Sequence, residues 1–193
     1  MRVLTSIGEI GVTASGRDIL FRPSLYAMSQ LPDPVATFHS IHTLQSTPII
    51  ERDRFRAAIE VLTACNDEDI SWLVGRIGRT YKSWTLGKLP VKDIIVLAAS
   101  LIRHGVTGVV PEEANRPPLK PADYADKFEP RDIVALAVAH LGLSEAEAWN
   151  LTVTSFILAM RAKFPPQKAT EQPSKQDLEK GMEWLSRVNK ARK

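Results

Sequence analysis

The sequence has little of what several protein classes require. A single cysteine, Cys65, stands among 193 residues, which excludes an internal disulfide and is typical of a reducing compartment. No run of about 18 apolar residues is present, so the pattern predicts no membrane-spanning helix. The N-terminus also lacks the apolar core of a signal peptide. We therefore expect a protein of the cytoplasm.

Motifs for nucleotide or metal chemistry are also missing. Gly75 and Gly78 form no glycine-rich phosphate loop, and their helical surroundings predict close packing between helices instead. His39 and His42 lie three residues apart on a predicted helix, but zinc needs further ligands that no nearby Cys or carboxylate pair supplies. The sequence therefore predicts a protein that is not an enzyme, with no catalytic residue, no cofactor and no metal site.

The remaining reactive side chains have structural interpretations. Cys65 has no evident histidine partner and is interpreted as a small apolar residue. His104 and His140 lie near the ends of predicted helices, where a positive charge complements the helix dipole. The acidic run at residues 67–69 is interpreted as the negatively charged start of a helix or a solvated loop. A strongly perturbed His or carboxylate in a deep pocket would revive the alternative of an enzyme.

Positive charge is placed unevenly along the chain. Residues 1–166 carry as many acidic as basic side chains, and residues 167–193 carry seven basic and four acidic ones, so the net charge of +3 belongs to the C-terminal segment. A protein that grips nucleic-acid phosphates usually has a basic face. The neutral body therefore makes a nucleic-acid-binding regulator the weaker alternative.

The first part of the chain predicts a β-hairpin followed by helices. Alternating residues at Ile7–Val12 and Ile19–Arg22 flank a Ser15-Gly16 turn signal. Ser24 is expected to cap a short helix. Further helices are predicted at Val35–Leu44 and Glu51–Thr63.

Two more helices and a loop are predicted next. Asn66 is expected to cap a helix with an apolar stripe at Ile70, Leu73, Val74, Ile77 and Tyr81. Lys92–His104 is apolar through its middle, which predicts the central buried helix, and Gly105 suits its end. Val109–Phe128 holds four of the 13 prolines and predicts a long loop.

Capping signals and aromatic residues dominate residues 130–166. A helix is predicted from Pro130 to Gly142, with inward-facing residues Ile133, Val134, Leu136, Ala137 and Leu141. Ser144 and Glu147 fit a capping box, and Thr152 or Thr154 is expected to cap the helix that follows. Aromatic stripes of this kind usually form core, and the alternative is a partner-binding surface. The candidate partner-binding residues are Trp149, Phe156, Met160, Phe164, Trp184 and Leu185.

Two prolines, Pro165 and Pro166, end the predicted helical domain at residue 166. Residues 167–193 predict a polar linker and a basic amphipathic helix capped by Ser174, which either packs on the body or binds a partner. The expected fold is mainly α, a helical bundle-like domain with a small N-terminal β-hairpin and this C-terminal helix.

Two segments resemble a known family. The stretches EIGVTASGRDILFRPSLYAMSQL and LGLSEAEAWNLTVTSFILAMRAKFPP resemble the opening and the recurring C-terminal element of the tail-assembly chaperones of long-tailed bacteriophages. The resemblance implies a protein made in the cytoplasm of an infected bacterium, or from a prophage. It implies binding of the tape-measure protein, recruitment of tail-tube protein, and self-association into a homo-oligomer. The alternative within phage biology is a tail completion or connector component that stays in the virion.

Overall fold

The computed structural model describes residues 2–42, 48–77, 84–109 and 127–165. Within these ranges the chain is mainly helical, as predicted. The helices are α1 Leu25–Ser29, α2 Pro34–His42, α3 Pro48–Ala64, α4 Ser71–Val74, α5 Val91–Ile102, α6 Pro130–Leu136, α7 Glu145–Trp149 and α8 Val153–Lys163. The strands are β1 Ile10–Ala14, β2 Arg17–Phe21, β3 Gly75–Ile77 and β4 Trp84–Leu86.

The predicted N-terminal hairpin is confirmed. β1 and β2 pair antiparallel, and both turn residues, Ser15 and Gly16, have positive φ, which matches the right-handed twist of the strands. Its base is fixed by a buried carboxylate that the sequence did not predict. Glu9 is 2% exposed, and its Oε1 accepts hydrogen bonds from the Arg22 guanidinium at 2.7 Å, while Oε2 accepts from the Leu4 N–H at 2.8 Å.

The larger hydrophobic cluster forms around α3 and α5, which make the most extensive contact between helices. Ile94, Ala98, Leu101 and Ile102 fall on one face of α5 and are fully buried, as expected for the central helix. Burial of each Leu or Ile side chain contributes about 1.5–3 kcal/mol. β2, α1, α2 and α4 supply the rest of this cluster.

The smaller hydrophobic cluster brings α6, α7 and α8 against the start of α1. Its buried members are Leu25, Val134, Ala137, Ala148 and Val153. Partly buried side chains, including Trp149 and Phe156, pack around them. Ser24 caps α1 as predicted, with its side chain accepting from the Ala27 N–H at 3.1 Å.

The prediction of a helix after Asn66 is correct for a single turn and wrong beyond it. α4 stops at Val74 because Gly75 takes φ +95°, and the chain continues into the β3–β4 hairpin. An added Cβ at Gly75 would lie 2.3 Å from the Thr85 carbonyl oxygen, so this glycine serves close strand pairing rather than helix packing. Asn66 does not cap α4, because its side chain donates to the Leu20 carbonyl and accepts from the Glu68 N–H.

The expected end of the central helix also differs. A π-helical turn at Arg103–Thr107 follows α5, and Gly108, with φ +73°, ends it. Gly105 lies inside that turn and is buried against the Met28 sulfur, where a Cβ would approach to 2.6 Å. Gly105 is therefore a packing glycine and not the C-terminal cap.

The helix starts and ends predicted between residues 130 and 166 agree better with the structure. Pro130 opens α6, and Gly142 ends the following π-helical turn, Ala137–Leu141, with φ +72°. The inward prediction is wrong for Leu136, which is 44% exposed. Between the two predicted caps of α8, the structure selects Thr152, whose hydroxyl accepts from the Ser155 N–H at 3.1 Å.

The chain divides into compact units Met1–Met160 and Arg161–Lys193, and only residues 161–165 of the second unit are described. The predicted linker and helix of residues 167–193 lie outside the described residues, as does nearly all of the predicted loop at Val109–Phe128. The predicted domain boundary at residue 166 stays a prediction. Across the described helices, none is long and apolar enough to span a bilayer.

Candidate partner-binding surface

Trp149 is the last residue of α7, a five-residue helix too short to be stable by itself. A complete capping box fixes its start. Ser144 Oγ accepts from the Glu147 N–H at 3.3 Å, and Glu147 Oε2 accepts from the Ser144 N–H at 2.9 Å and from its hydroxyl at 2.6 Å. Hydrogen bonds from the Ser144 side chain, and then from its backbone, hold the pKa of Glu147 below its usual value.

Contacts on both sides orient the indole of Trp149. Its Nε1–H donates to Glu145 Oε1 at 3.3 Å, and its ring meets the Tyr26 ring edge to face, with the centroids 6.4 Å apart. The Leu25 N–H donates to the Leu151 carbonyl at 2.7 Å, which joins the start of α1 to the α7–α8 connection. This bond places Tyr26, the next residue, beside Trp149.

An open groove of about 910 Å³ is lined in part by Trp149 and is here called the apolar groove. It is named for the apolar side chains of Tyr26, Leu31, Pro32, Phe128 and Trp149, and polar side chains such as Gln30, Glu129 and Arg131 also line it. Tyr26 is 55% exposed, although most of its ring is apolar. Aromatic and proline side chains at a concave surface are typical of a site that binds another apolar group.

A second groove of about 650 Å³, the α6–α7 groove, is also lined by Trp149. Ala135, Val138 and Ala139 line it together with Trp149 and the charged side chains of Arg131 and Glu145. Trp149 therefore contributes to two concave surfaces. Aromatic residues at such surfaces often dominate the binding energy of protein interfaces.

A third groove of about 860 Å³, the acidic groove, meets the apolar groove at Tyr26, Gln30, Leu31 and Pro32. Its lining includes the charged residues Glu60, Asp67, Glu68, Asp69 and Arg76, which give a net charge of −3. Hydrogen bonds from the Ser71 side chain and backbone, followed by the charge of Arg76, lower the pKa of Asp69. Asp69 therefore stays ionised at neutral pH.

The six residues predicted to bind a partner do not share one environment in the structure. Trp149 lines both the apolar and the α6–α7 grooves, whereas Phe156 is half-buried against the smaller cluster and lines neither. Met160 is half-buried, and Phe164 is 50% exposed within the second unit. Trp184 and Leu185 lie outside the described residues. A partner-binding role for all six stays a prediction.

Sequence reasoning did not select the other residues of these grooves. Tyr26 had a detectable signal, because it is an aromatic residue off the apolar stripe of a capped helix. The acidic run at residues 67–69 was visible but was interpreted as the start of a helix or a solvated loop. Phe128 and Val138 carried no signal that separates them from core residues, because their place in a groove depends on elements distant in sequence.

The histidine and cysteine side chains that could take part in chemistry make structural contacts instead. His42 stacks on Phe38 with ring centroids 4.2 Å apart, and its Nδ1 bonds the Phe38 carbonyl at 3.0 Å. Cys65 is buried, and desolvation raises the pKa of its thiol far above the usual value, so the thiolate is disfavoured. No three His, Cys, Asp or Glu side chains of the described ranges come together as a possible metal site.

His104 does not behave as the expected cation at a helix end. It is half-buried, and desolvation, followed by the charge of Arg103, lowers its pKa. Its Nδ1 is 2.9 Å from Thr154 Oγ1, and the same hydroxyl accepts from the Val109 N–H at 2.9 Å. His104 thus ties the end of the α5 region to α8 in a neutral hydrogen-bonded contact.

Comparison with known proteins gives one assignment. No curated protein and no solved structure matches the chain. A family model, DUF6246, described as a family of unknown function, matches residues 35–179, a segment that includes Trp149, the acidic run and most of the helices. This match spans well over half of the sequence, and the chain therefore belongs to the DUF6246 family.

Proposed function

We propose that this protein is a tail-assembly chaperone of a long-tailed bacteriophage or prophage. It binds the tape-measure protein without covalent chemistry and keeps it soluble while the tail forms. The proposal joins the sequence resemblance in segments 9–31 and 141–166 to one structural observation: the half-buried Trp149 lines two open grooves.

This observation supports client binding on physical grounds. A long helical client presents apolar side chains at intervals of three and four residues, and they aggregate unless another surface covers them. Two grooves that share Trp149 offer places for neighbouring side chains of such a helix. Trp149 is also held in position before binding, because the capping box and the Tyr26 contact fix it. Preorganisation lowers the entropic cost of association.

The wider proposal follows the same resemblance. The chaperone acts in the cytoplasm of the infected bacterium and self-associates around its client. Residues 167–193 are proposed to recruit tail-tube protein, since a C-terminal extension does so in the family that the sequence resembles.

Co-expression with the tape-measure protein encoded in the same genome tests the function. The tape-measure protein is expected in the soluble fraction, bound to the chaperone, only when both are made. Ala146→Arg places a long side chain in the apolar groove from an exposed position of α7, and it should abolish most of the rescue without unfolding the protein. Ser100→Arg, at an exposed position of α5 outside these grooves, is the matched control.

Trp149→Ala provides the second arm. Loss of a central aromatic anchor typically costs about 2 kcal/mol or more of binding free energy, close to a thirtyfold loss of affinity. Circular dichroism separates this loss from unfolding. Failure to recover any complex, with this chain present in purified virions, would overturn the proposal in favour of a structural tail component. Salt-sensitive DNA binding would instead favour the regulator.

A further inference from the structure

The apolar and acidic grooves form one continuous surface, because four residues line both, namely Tyr26, Gln30, Leu31 and Pro32. Tyr26 stands at the junction, 55% exposed and in contact with Trp149. A bound segment that covers Tyr26 therefore reaches both grooves. One end of that segment meets aromatic and proline side chains, and the other end meets carboxylates.

The negative charge at the acidic end determines which kind of polypeptide the surface can bind. Asp67 and Glu68 are exposed. Of the three acidic residues, only Asp69 takes part in a described ion pair, which it forms with Arg76. A net charge of −3 repels nucleic-acid phosphates and acidic peptides and attracts lysine and arginine. The apolar end removes apolar side chains from water. The surface as a whole is therefore complementary to an amphipathic basic polypeptide.

We propose that the joined grooves bind a client segment in which an apolar cluster is flanked on one side by lysine or arginine. Its aromatic or branched aliphatic side chains pack beside Tyr26 and Trp149, and its basic side chains lie next to Asp67 and Glu68. The identification of this segment as part of a tape-measure protein rests on the proposed function, whereas its chemistry rests on the two grooves. The acidic groove then sets the direction of the bound segment, because reversing it removes the basic end from Asp67 and Glu68.

Labelled synthetic peptides and the full-length protein test this inference by fluorescence anisotropy. The probe is a peptide of about 20 residues, long enough for a helix of about 30 Å, with Leu and Trp in its first half and Lys in its second half. A matched peptide carries Glu in place of each Lys. The Lys peptide is expected to bind about tenfold more tightly than the Glu peptide, and added salt should reduce the difference.

Charge reversal in the protein provides the decisive comparison. Asp67→Lys combined with Glu68→Lys should weaken binding of the Lys peptide about tenfold and strengthen binding of the Glu peptide. The control, Asp18→Lys combined with Asp93→Lys, makes the same change in net charge at exposed positions outside the acidic groove. Equal effects of the two double variants would overturn the inference, since they would show an influence of net charge alone.

The inference and the proposed function can fail separately. If the tape-measure protein is made soluble and the Asp67→Lys, Glu68→Lys variant rescues it as well as the parent does, the function stands and the inference is overturned. If the Lys peptide binds with the expected charge dependence and the tape-measure protein forms no complex, the groove chemistry stands and the client assignment is wrong.

Discussion

The two hydrophobic clusters of this protein differ in how completely they bury their side chains. The larger cluster, around α3 and α5, buries Phe55, Leu62, Leu101 and Ile102 completely. The smaller cluster, around α6, α7 and α8, has five buried members among the described residues and leaves Trp149 and Phe156 partly exposed around them. Both belong to the unit Met1–Met160, so the difference is one of packing within a single unit.

This difference indicates a division between stability and binding. Free energy from apolar burial accumulates where side chains are removed from water, which is chiefly in the larger cluster. The smaller cluster gives up part of that burial, and Trp149, which packs against it, lines the apolar and α6–α7 grooves. Its partly exposed aromatic side chains gain burial only when a partner covers them. The candidate partner-binding surface therefore joins Trp149 of the smaller cluster to side chains of the larger one, such as Met28 and Leu31.

The same substitution in both clusters should give the largest effects and measure the difference directly. Leu101 and Leu25 are both fully buried, Leu101 in the larger cluster and Leu25 in the smaller one. Leu101→Ala is expected to lower the free energy of unfolding by about 4 kcal/mol, and Leu25→Ala by about 2–3 kcal/mol. The smaller loss follows because side chains beside open grooves can relax into the space left behind.

Urea unfolding followed by circular dichroism measures both values. The slope of each transition should stay that of the parent, so that the two free energies refer to the same unfolding reaction. A loss for Leu25→Ala equal to or larger than that for Leu101→Ala would show that the smaller cluster is as tightly packed as the larger one. The proposed division between stability and binding would then be untenable.

Thr154 provides a prediction of intermediate size, because it links the two regions through polar contacts. Its side chain is 1% exposed, and its hydroxyl accepts from the Val109 N–H and bonds His104 Nδ1. Thr154→Val keeps the shape and removes the acceptor, so it should cost about 1–3 kcal/mol of stability. Thr13→Val, at an exposed hydrogen-bonded position of β1, is the control and should change stability by less than about 0.5 kcal/mol.

The features that the sequence predicted correctly are local ones. The Ser15-Gly16 turn, the Ser24 cap and the Ser144–Glu147 capping box each depend on residues within a few positions of each other, and each formed as expected. Turn and cap chemistry is decided by backbone groups nearby and is little changed by tertiary packing. Gly142 likewise ended its helix because positive φ suits glycine.

The errors arose where one pattern fits two structures. The stripe from Ile70 to Tyr81 has helical spacing, but a glycine at φ +95° redirected the chain into a hairpin whose partner strand lies further along the sequence. Leu136 has the spacing of an inward residue, yet no element among the described residues covers it fully. The grooves could not be predicted because Tyr26 and Trp149 meet only through tertiary contacts. Of the residues that line the grooves, the sequence predicted a binding role for Trp149, because of the density of aromatic residues near it.

The smallest expected effect concerns the pH dependence of the link between the regions. The folded protein lowers the pKa of His104 through desolvation and the charge of Arg103, whereas the unfolded chain has the ordinary value of 6.5. Between these two pKa values the unfolded chain binds the proton more strongly, so stability is complete above about pH 6.5 and falls as the pH decreases. His104→Gln should flatten this part of the curve. Urea midpoints compared between about pH 7.5 and 5.5, above the range of most carboxylates, measure the difference. A parent and variant with parallel curves would mean that His104 is equally easy to protonate in both states, and that the Thr154 contact tolerates an imidazolium.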